Sequence, residues 1–205
     1  MEISAEMTKL ITNNTSGINT DIKVNGQKLK TDTGFKYPGS VITDEGSKPE
    51  ILSRIAHTTA VLTWLKPVWN DRSISLNSKI QLMRSLVTSI FLYACKSWTL
   101  TVELQRRKQA MEMRCYRKIL CILYKDLVTN EEVRAKIRQA TGPYKSLLTM
   151  AKRRKLQWHG HVARSSSVAK TILQGTVKGK RRQGRQRKRW EDNIMEWTGL
   201  VFAKA

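Results

Sequence analysis

Between Val133 and Trp190 the chain has no Asp or Glu, against 18 Lys and Arg. Residues 1–48 hold six basic and six acidic side chains, so the whole formal net charge of +22 arises after Lys48. So one-sided a field constrains fold and partner together. Cations without acidic neighbours need water or a polyanion around them, and each Lys or Arg that neutralises a phosphate releases a counterion. An enzyme for a neutral small molecule has no use for such a surface. Trp158 and Trp190 stand beside basic clusters in the same stretch, which suits base stacking next to phosphate contacts. RNA and DNA, read with low sequence specificity, are the expected partners.

The remaining composition sets milder bounds. At 205 residues and 40% hydrophobic content the chain can bury a core, as one domain or two small ones. The best apolar run, Ile90 to Cys95, is far too short for a bilayer, so no membrane partner is expected. The opening MEISAEMTKL lacks the layout of a secretory signal. Cys95, Cys115 and Cys121, unevenly spaced, suit a reducing compartment. The expectation is an intracellular protein, nuclear or cytoplasmic, without a cofactor.

The pattern predicts an α+β fold in three parts. Residues 1–46 read as strand and turn. Asn25-Gly26, between Asp21-Ile22-Lys23-Val24 and Gln27-Lys28-Leu29-Lys30, is the sequence of a type I′ hairpin. Phe35 to Ile42 reads as a strand or tight hairpin, at an edge or broken at Pro38, which has no N–H to give a ladder. Residues 47–164 read as helical. Ser47 and Glu50 form a capping box for a helix that Pro67 should stop near Lys66. Leu76, Ile80, Met83, Val87, Ile90, Ala94 and Trp98, in steps of four and three, predict one amphipathic helix. A third should span Val102 to Tyr124. A fourth should open at the capping box Thr129/Glu132 and end at Gly142-Pro143, and a fifth should run from Tyr144 to Val162. Residues 165–205 read as a basic, partly disordered arm, with Trp190, Ile194 and Trp197 on a short terminal helix.

Three segments in this order resemble the reverse transcriptases of non-LTR (LINE-like) retrotransposons, in the region after their catalytic aspartates. Glu2-Ile3-Ser4-Ala5-Glu6-Met7-Thr8-Lys9 is similar to polymerase motif D, and Phe35-Lys36-Tyr37-Pro38-Gly39-Ser40-Val41-Ile42 to motif E, the primer grip. Leu92-Tyr93-Ala94-Cys95-Lys96-Ser97-Trp98, the stretch Arg153 to Arg164, and Arg182 to Trp190 resemble the thumb and C-terminal region. The resemblance implies a palm remnant over 1–46 and a helical thumb after it, gripping primer–template or duplex nucleic acid.

Three positions depart from the family. Met7 stands at the motif D lysine, Pro38 at the primer-grip leucine, and Lys96 where a glutamate is usual. Two-metal nucleotidyl transfer also needs paired carboxylates, and the sequence has no Asp-Asp pair. The neighbours Asp44-Glu45, Glu131-Glu132 and Glu191-Asp192 fit turns and helix starts, where the dipole favours acids. The expectation is a fragment with no catalytic residue. The alternative is a basic binding module unconnected with polymerisation.

The residues expected to meet nucleic acid fall in three groups. Phe35, Tyr37 and Gly39 belong to the motif E match, where the aromatic pair fits a core equally well. Lys152, Arg153, Arg154, Trp158, His159, His161 and Arg164 form the second group, whose cations also suit a helix C-terminus. Lys180, Arg181, Arg182, Arg185, Arg187, Lys188, Arg189 and Trp190 form the third, a run that also reads as a nuclear import signal. Cys115, Cys121, His159 and His161 are zinc-ligand types. Cys115 however falls on an apolar helix face with Met111 and Ile119, where a thiol acts as a small hydrophobe.

Overall fold

Short strands precede residue 44 and helices follow it, an α+β arrangement. The structure, a computed structural model, describes residues 8–11, 22–37, 40–43, 46–166, 168–174 and 187–199. The chain divides into two compact units, residues 1–53 and 54–205.

In the first unit β1 (Lys9–Leu10) is followed along the chain by β2 (Lys23–Val24), β3 (Gln27–Lys28) and β4 (Lys30–Thr31), and pairs in parallel with the last of these. Strands β2 and β3 form the expected hairpin, Val24 opposite Gln27. Its turn residues take φ of 50° at Asn25 and 79° at Gly26, the two positive values a type I′ loop requires. A second hairpin joins β5 (Gly34–Tyr37) to β6 (Ser40–Thr43), with Phe35 opposite Ile42 and Tyr37 opposite Ser40. Pro38 and Gly39 between them, and Glu2 to Met7 of the motif D match, lie outside the described residues. Helix α1 (Lys48–Trp64) begins here, and Glu50 in its first turn is buried. Its Oε2 accepts the Val41 N–H at 2.6 Å, tying the hairpin to the helix start.

In the second unit Pro67 does not end the helical path. The chain breaks at Leu65 and restarts as α2 (Lys66–Asn70), with Pro67 in the first turn, where its missing N–H is harmless. Trp69 is buried there, and its Nε1 donates to Leu62 O at 3.0 Å.

The long helix expected over Leu76 to Trp98 is divided. It consists of α3 (Leu76–Leu82), a π-helical turn (Met83–Val87) and α4 (Thr88–Phe91), after which Leu92–Ser97 form turns. The π turn advances the inward face by about a residue. Phe91 is therefore buried and Ile90 only half-buried. Leu92 leaves the helical conformation at the C-cap and Ala94 takes a left-handed φ of 54° in the turns that follow, yet Leu92, Cys95 and Trp98 remain in the core.

Helix α5 (Val102–Ile119) stops short of the expected Tyr124 because Cys121 takes φ 53°. A 3-10 turn at Tyr124–Asp126 leads to α6 (Asn130–Thr141). Its expected capping box is present: Thr129 Oγ1 accepts the Glu132 N–H at 3.3 Å and Glu132 Oε2 the Thr129 N–H at 2.9 Å. Then come α7 (Leu147–Arg164), α8 (Val168–Gln174) and α9 (Trp190–Thr198). Helix α5 is central, packing on α2, α3, α6 and α7. Among the described residues no helix is long and apolar enough to cross a membrane.

Candidate nucleic-acid interface

Ser146 caps α7, its Oγ accepting the Thr149 N–H at 3.1 Å. From there the helical repeat separates the basic residues into two populations. Leu147, Ala151, Lys155, His159 and Val162 share the buried face. Arg153, Arg154, Gln157, His161 and Arg164 share the exposed one. The outward stripe carries no acid, and Arg154 Nη1 is steadied by Leu92 O at 3.3 Å.

The inward face holds a feature that the composition does not announce. Lys155 is 1% exposed, and its Nζ donates to Trp98 O at 2.9 Å and to Asn193 Oδ1 at 3.0 Å. The same amine lies 4.4 Å from the Trp190 ring centroid and 5.5 Å from that of Trp197. Lys108 of α5 is 0% exposed; its Nζ lies 4.5 Å from the Trp98 ring and 5.9 Å from Phe91, with no hydrogen-bond partner. Desolvation lowers both amines to about 7, and at Lys155 the Lys188 charge adds to it. The electron-rich ring faces are what receives the remaining positive charge.

This cluster locks α9 in place. Asn193, itself 0% exposed, accepts the Leu100 N–H through Oδ1 at 2.7 Å and donates to Leu100 O at 2.9 Å. Ile194 is buried beside it, and Lys188 pairs with Glu196. Trp190 Nε1 donates to Lys96 O at 2.8 Å, and its ring meets Trp158 edge to face at 5.3 Å. The terminal helix expected at the end of a separate arm is thus packed into the helical unit.

The expected contact residues divide accordingly. Arg153, Arg154, His161, Arg164, Arg187 and Arg189 are exposed. The Trp158–Trp190 contact brings the end of the basic run against α7. Lys152 is half-buried, its Nζ 5.0 Å from the Trp197 ring, and Lys188 is held by Glu196. Trp158 and Trp190 are half-buried and pack on each other. His159 is buried, 6.1 Å from the Trp190 ring, and desolvation holds its imidazole below the ordinary value. Its ring thus faces inward, away from the exposed stripe of α7. Phe35 is half-buried on β5, far in sequence from this face, while the side chain of Tyr37 and all of Gly39, Lys180, Arg181, Arg182 and Arg185 lie outside the described residues.

The zinc-ligand types are not gathered. Cys115 is buried on α5, with desolvation raising its thiol to about 12, while Cys121 is exposed with its Sγ toward Trp69 O. Among the described residues no three His, Cys, Asp or Glu side chains form a metal-holding group. Sequence reasoning missed Lys108 and Lys155, yet a signal was present. Each stands in an apolar stripe, Leu104–Lys108–Met111–Cys115 and Ala151–Lys155–Val162. No family model matches this sequence, and no curated protein or solved structure matches it.

Proposed function

We propose that this protein binds the phosphate backbones of RNA and DNA through the outer face of α7 and the basic segment entering α9. The observation that carries this reading is the juxtaposition, through Trp158 and Trp190, of the exposed stripe Arg153–Arg154–His161–Arg164 with Arg187 and Arg189. Two basic segments thus meet at one contact, and the stretch 133–190 contributes no acid to oppose a phosphate, while Asp192 just beyond it is engaged with the Arg189 N–H. Low sequence preference follows from the phosphate contacts, whose electrostatic contribution does not depend on base sequence. The resemblance to non-LTR reverse transcriptases supports a more specific assignment. In it the helical unit is a thumb, the hairpins of 1–46 are the primer-grip edge of a palm, and the chain holds primer–template without a catalytic centre.

Titrating salt while following the anisotropy of a labelled RNA–DNA hybrid tests the reading. A log–log slope of roughly −5 to −9, from neutralising about six to ten phosphates, is expected, with near-equal affinity for unrelated sequences. Binding indifferent to salt overturns it. Primer extension with Mg²⁺ should give no template-dependent product; metal-dependent incorporation removes the view of the chain as a fragment without catalysis.

A further inference from the structure

A cleft of about 850 Å³ opens on the side of α5 formed by Ala110, Met113, Arg114 and Arg117. We propose that it binds a small phosphate-bearing heterocycle, the chemistry of a nucleotide. Its volume lies in the range of small-molecule sites, far below what a duplex needs.

Charge argues for the phosphate. Lys66, Arg114, Arg117 and Lys118 line the cleft and no carboxylate does. Helix α5 presents Arg114, Arg117 and Lys118 together because residues three and four apart share a face. Arg117 Nη2 donates to Val128 O at 2.8 Å and Asn130 Oδ1 at 3.0 Å. Both acceptors are neutral, so they aim the guanidinium without cancelling its charge. The acids nearest in sequence have other partners: Asp71 takes the Ser73 N–H, Glu112 the Leu147 N–H and Asp126 the Leu123 N–H, while Glu131 pairs with Arg134 and Glu132 caps α6. The arginine fork grips carboxylate and phosphate alike, but a monocarboxylate answers one of four cations where a phosphate dianion answers two.

The rest of the wall argues for the heterocycle. Ala110, Ile122 and Leu123 supply accessible apolar wall above the buried Trp69 and Met113, and the amides of Asn70 and Asn130 stand at its edge. Apolar surface bordered by amides suits a base, and the cleft is open to solvent, unlike a tunnel for an alkyl chain. The site shares no residue with the outer face of α7, so it stands or falls separately from the backbone-binding surface. The nucleotide is either free or one unstacked unit of a strand.

Cys121 gives a direct reporter. Its thiol is exposed and lines the cleft, while Cys95 and Cys115 are buried. Alkylation of Cys121 by iodoacetamide in the full-length chain is followed by mass spectrometry with AMP, inorganic phosphate, dodecanoate or a 5′-phosphorylated oligonucleotide. The expected result is at least fivefold slowing by AMP at concentrations where phosphate alone has no effect, lost in the exposed-site double variant Arg114→Gln/Lys118→Gln and retained in Arg153→Gln/Arg164→Gln. Slowing by AMP alone identifies a free nucleotide, and equal slowing by the oligonucleotide identifies a strand unit. No slowing by AMP, slowing that survives Arg114→Gln/Lys118→Gln, or stronger slowing by dodecanoate overturns the proposal.

Discussion

Asn193 and Leu100, 93 residues apart, exchange two hydrogen bonds, the side-chain amide taking the place of a partner peptide. Asn193 Oδ1 also receives the Lys155 amine, so one carboxamide fixes α9, the segment before α5 and the inner face of α7.

Replacing Asn193 with Ala leaves the Leu100 N–H and C=O and the Lys155 amine short of partners in a dry site. Destabilisation of roughly 2–4 kcal/mol is expected in urea, as for loss of a fully satisfied buried network. A change under about 0.5 kcal/mol would mean that α9 is held chiefly by its tryptophans.

Lys108 gives the opposite sign. Its amine is buried without a hydrogen-bond acceptor, so Lys108→Met keeps the stem's volume and removes a group that resists charging. A gain of about 1–3 kcal/mol is expected, as when a buried ion yields to a hydrophobic isostere. Loss of stability would show that the contact with the Trp98 ring outweighs desolvation.

The same two amines set a pH dependence. Both are lowered from 10.5 to about 7 in the folded chain, so between those values the unfolded state binds more protons. Stability therefore rises with pH above 7, and below 7 the contribution of neutral lysine is lost. Burial raises Cys95, Cys115 and Tyr116 above their ordinary values, which acts with the reverse sign once the unfolded thiols ionise near 9. Denaturant midpoints should climb from pH 7 to a maximum near pH 9, and the climb should shrink in Lys108→Met. A midpoint constant over that range contradicts the burial of the amines.

Surface and core variants should separate in binding. Arg153→Gln/Arg164→Gln removes two exposed charges, so the salt slope should flatten by about 1.8 with the melting temperature unchanged. Trp190→Ala loses the Lys96 hydrogen bond and the ring above Lys155, so it should lower affinity and melting temperature together. Reduced affinity for Trp190→Ala at unaltered stability would mark the indole as a base-stacking platform.

Local signals read well from sequence, and long-range ones did not. Asn25-Gly26 and Thr129/Glu132 act within four residues, so backbone chemistry alone determines them. The break after Phe91 was hidden because the apolar spacing continues to Trp98: the residues stay buried while the backbone turns. Trp158 and Trp190 beside cations signal ligand stacking and internal packing alike. Only the docking of α9, a contact across most of the helical unit, assigns those rings to Lys155 and to each other. The cleft on α5 draws on α2 and the start of α6 and has no linear pattern at all.

The amide bridge to Leu100 also sets a clock on biosynthesis. At roughly 5–20 residues per second, the ribosome needs about 5–19 s to pass from residue 100 to residue 193. For the last 38 residues of that interval, about 2–8 s at the same rate, Lys155 has been made but lacks Asn193 and the Trp190 and Trp197 rings that cover its amine. The nascent helices thus wait as an ordinary cationic, water-exposed chain until α9 arrives and the core that desolvates Lys155 can close.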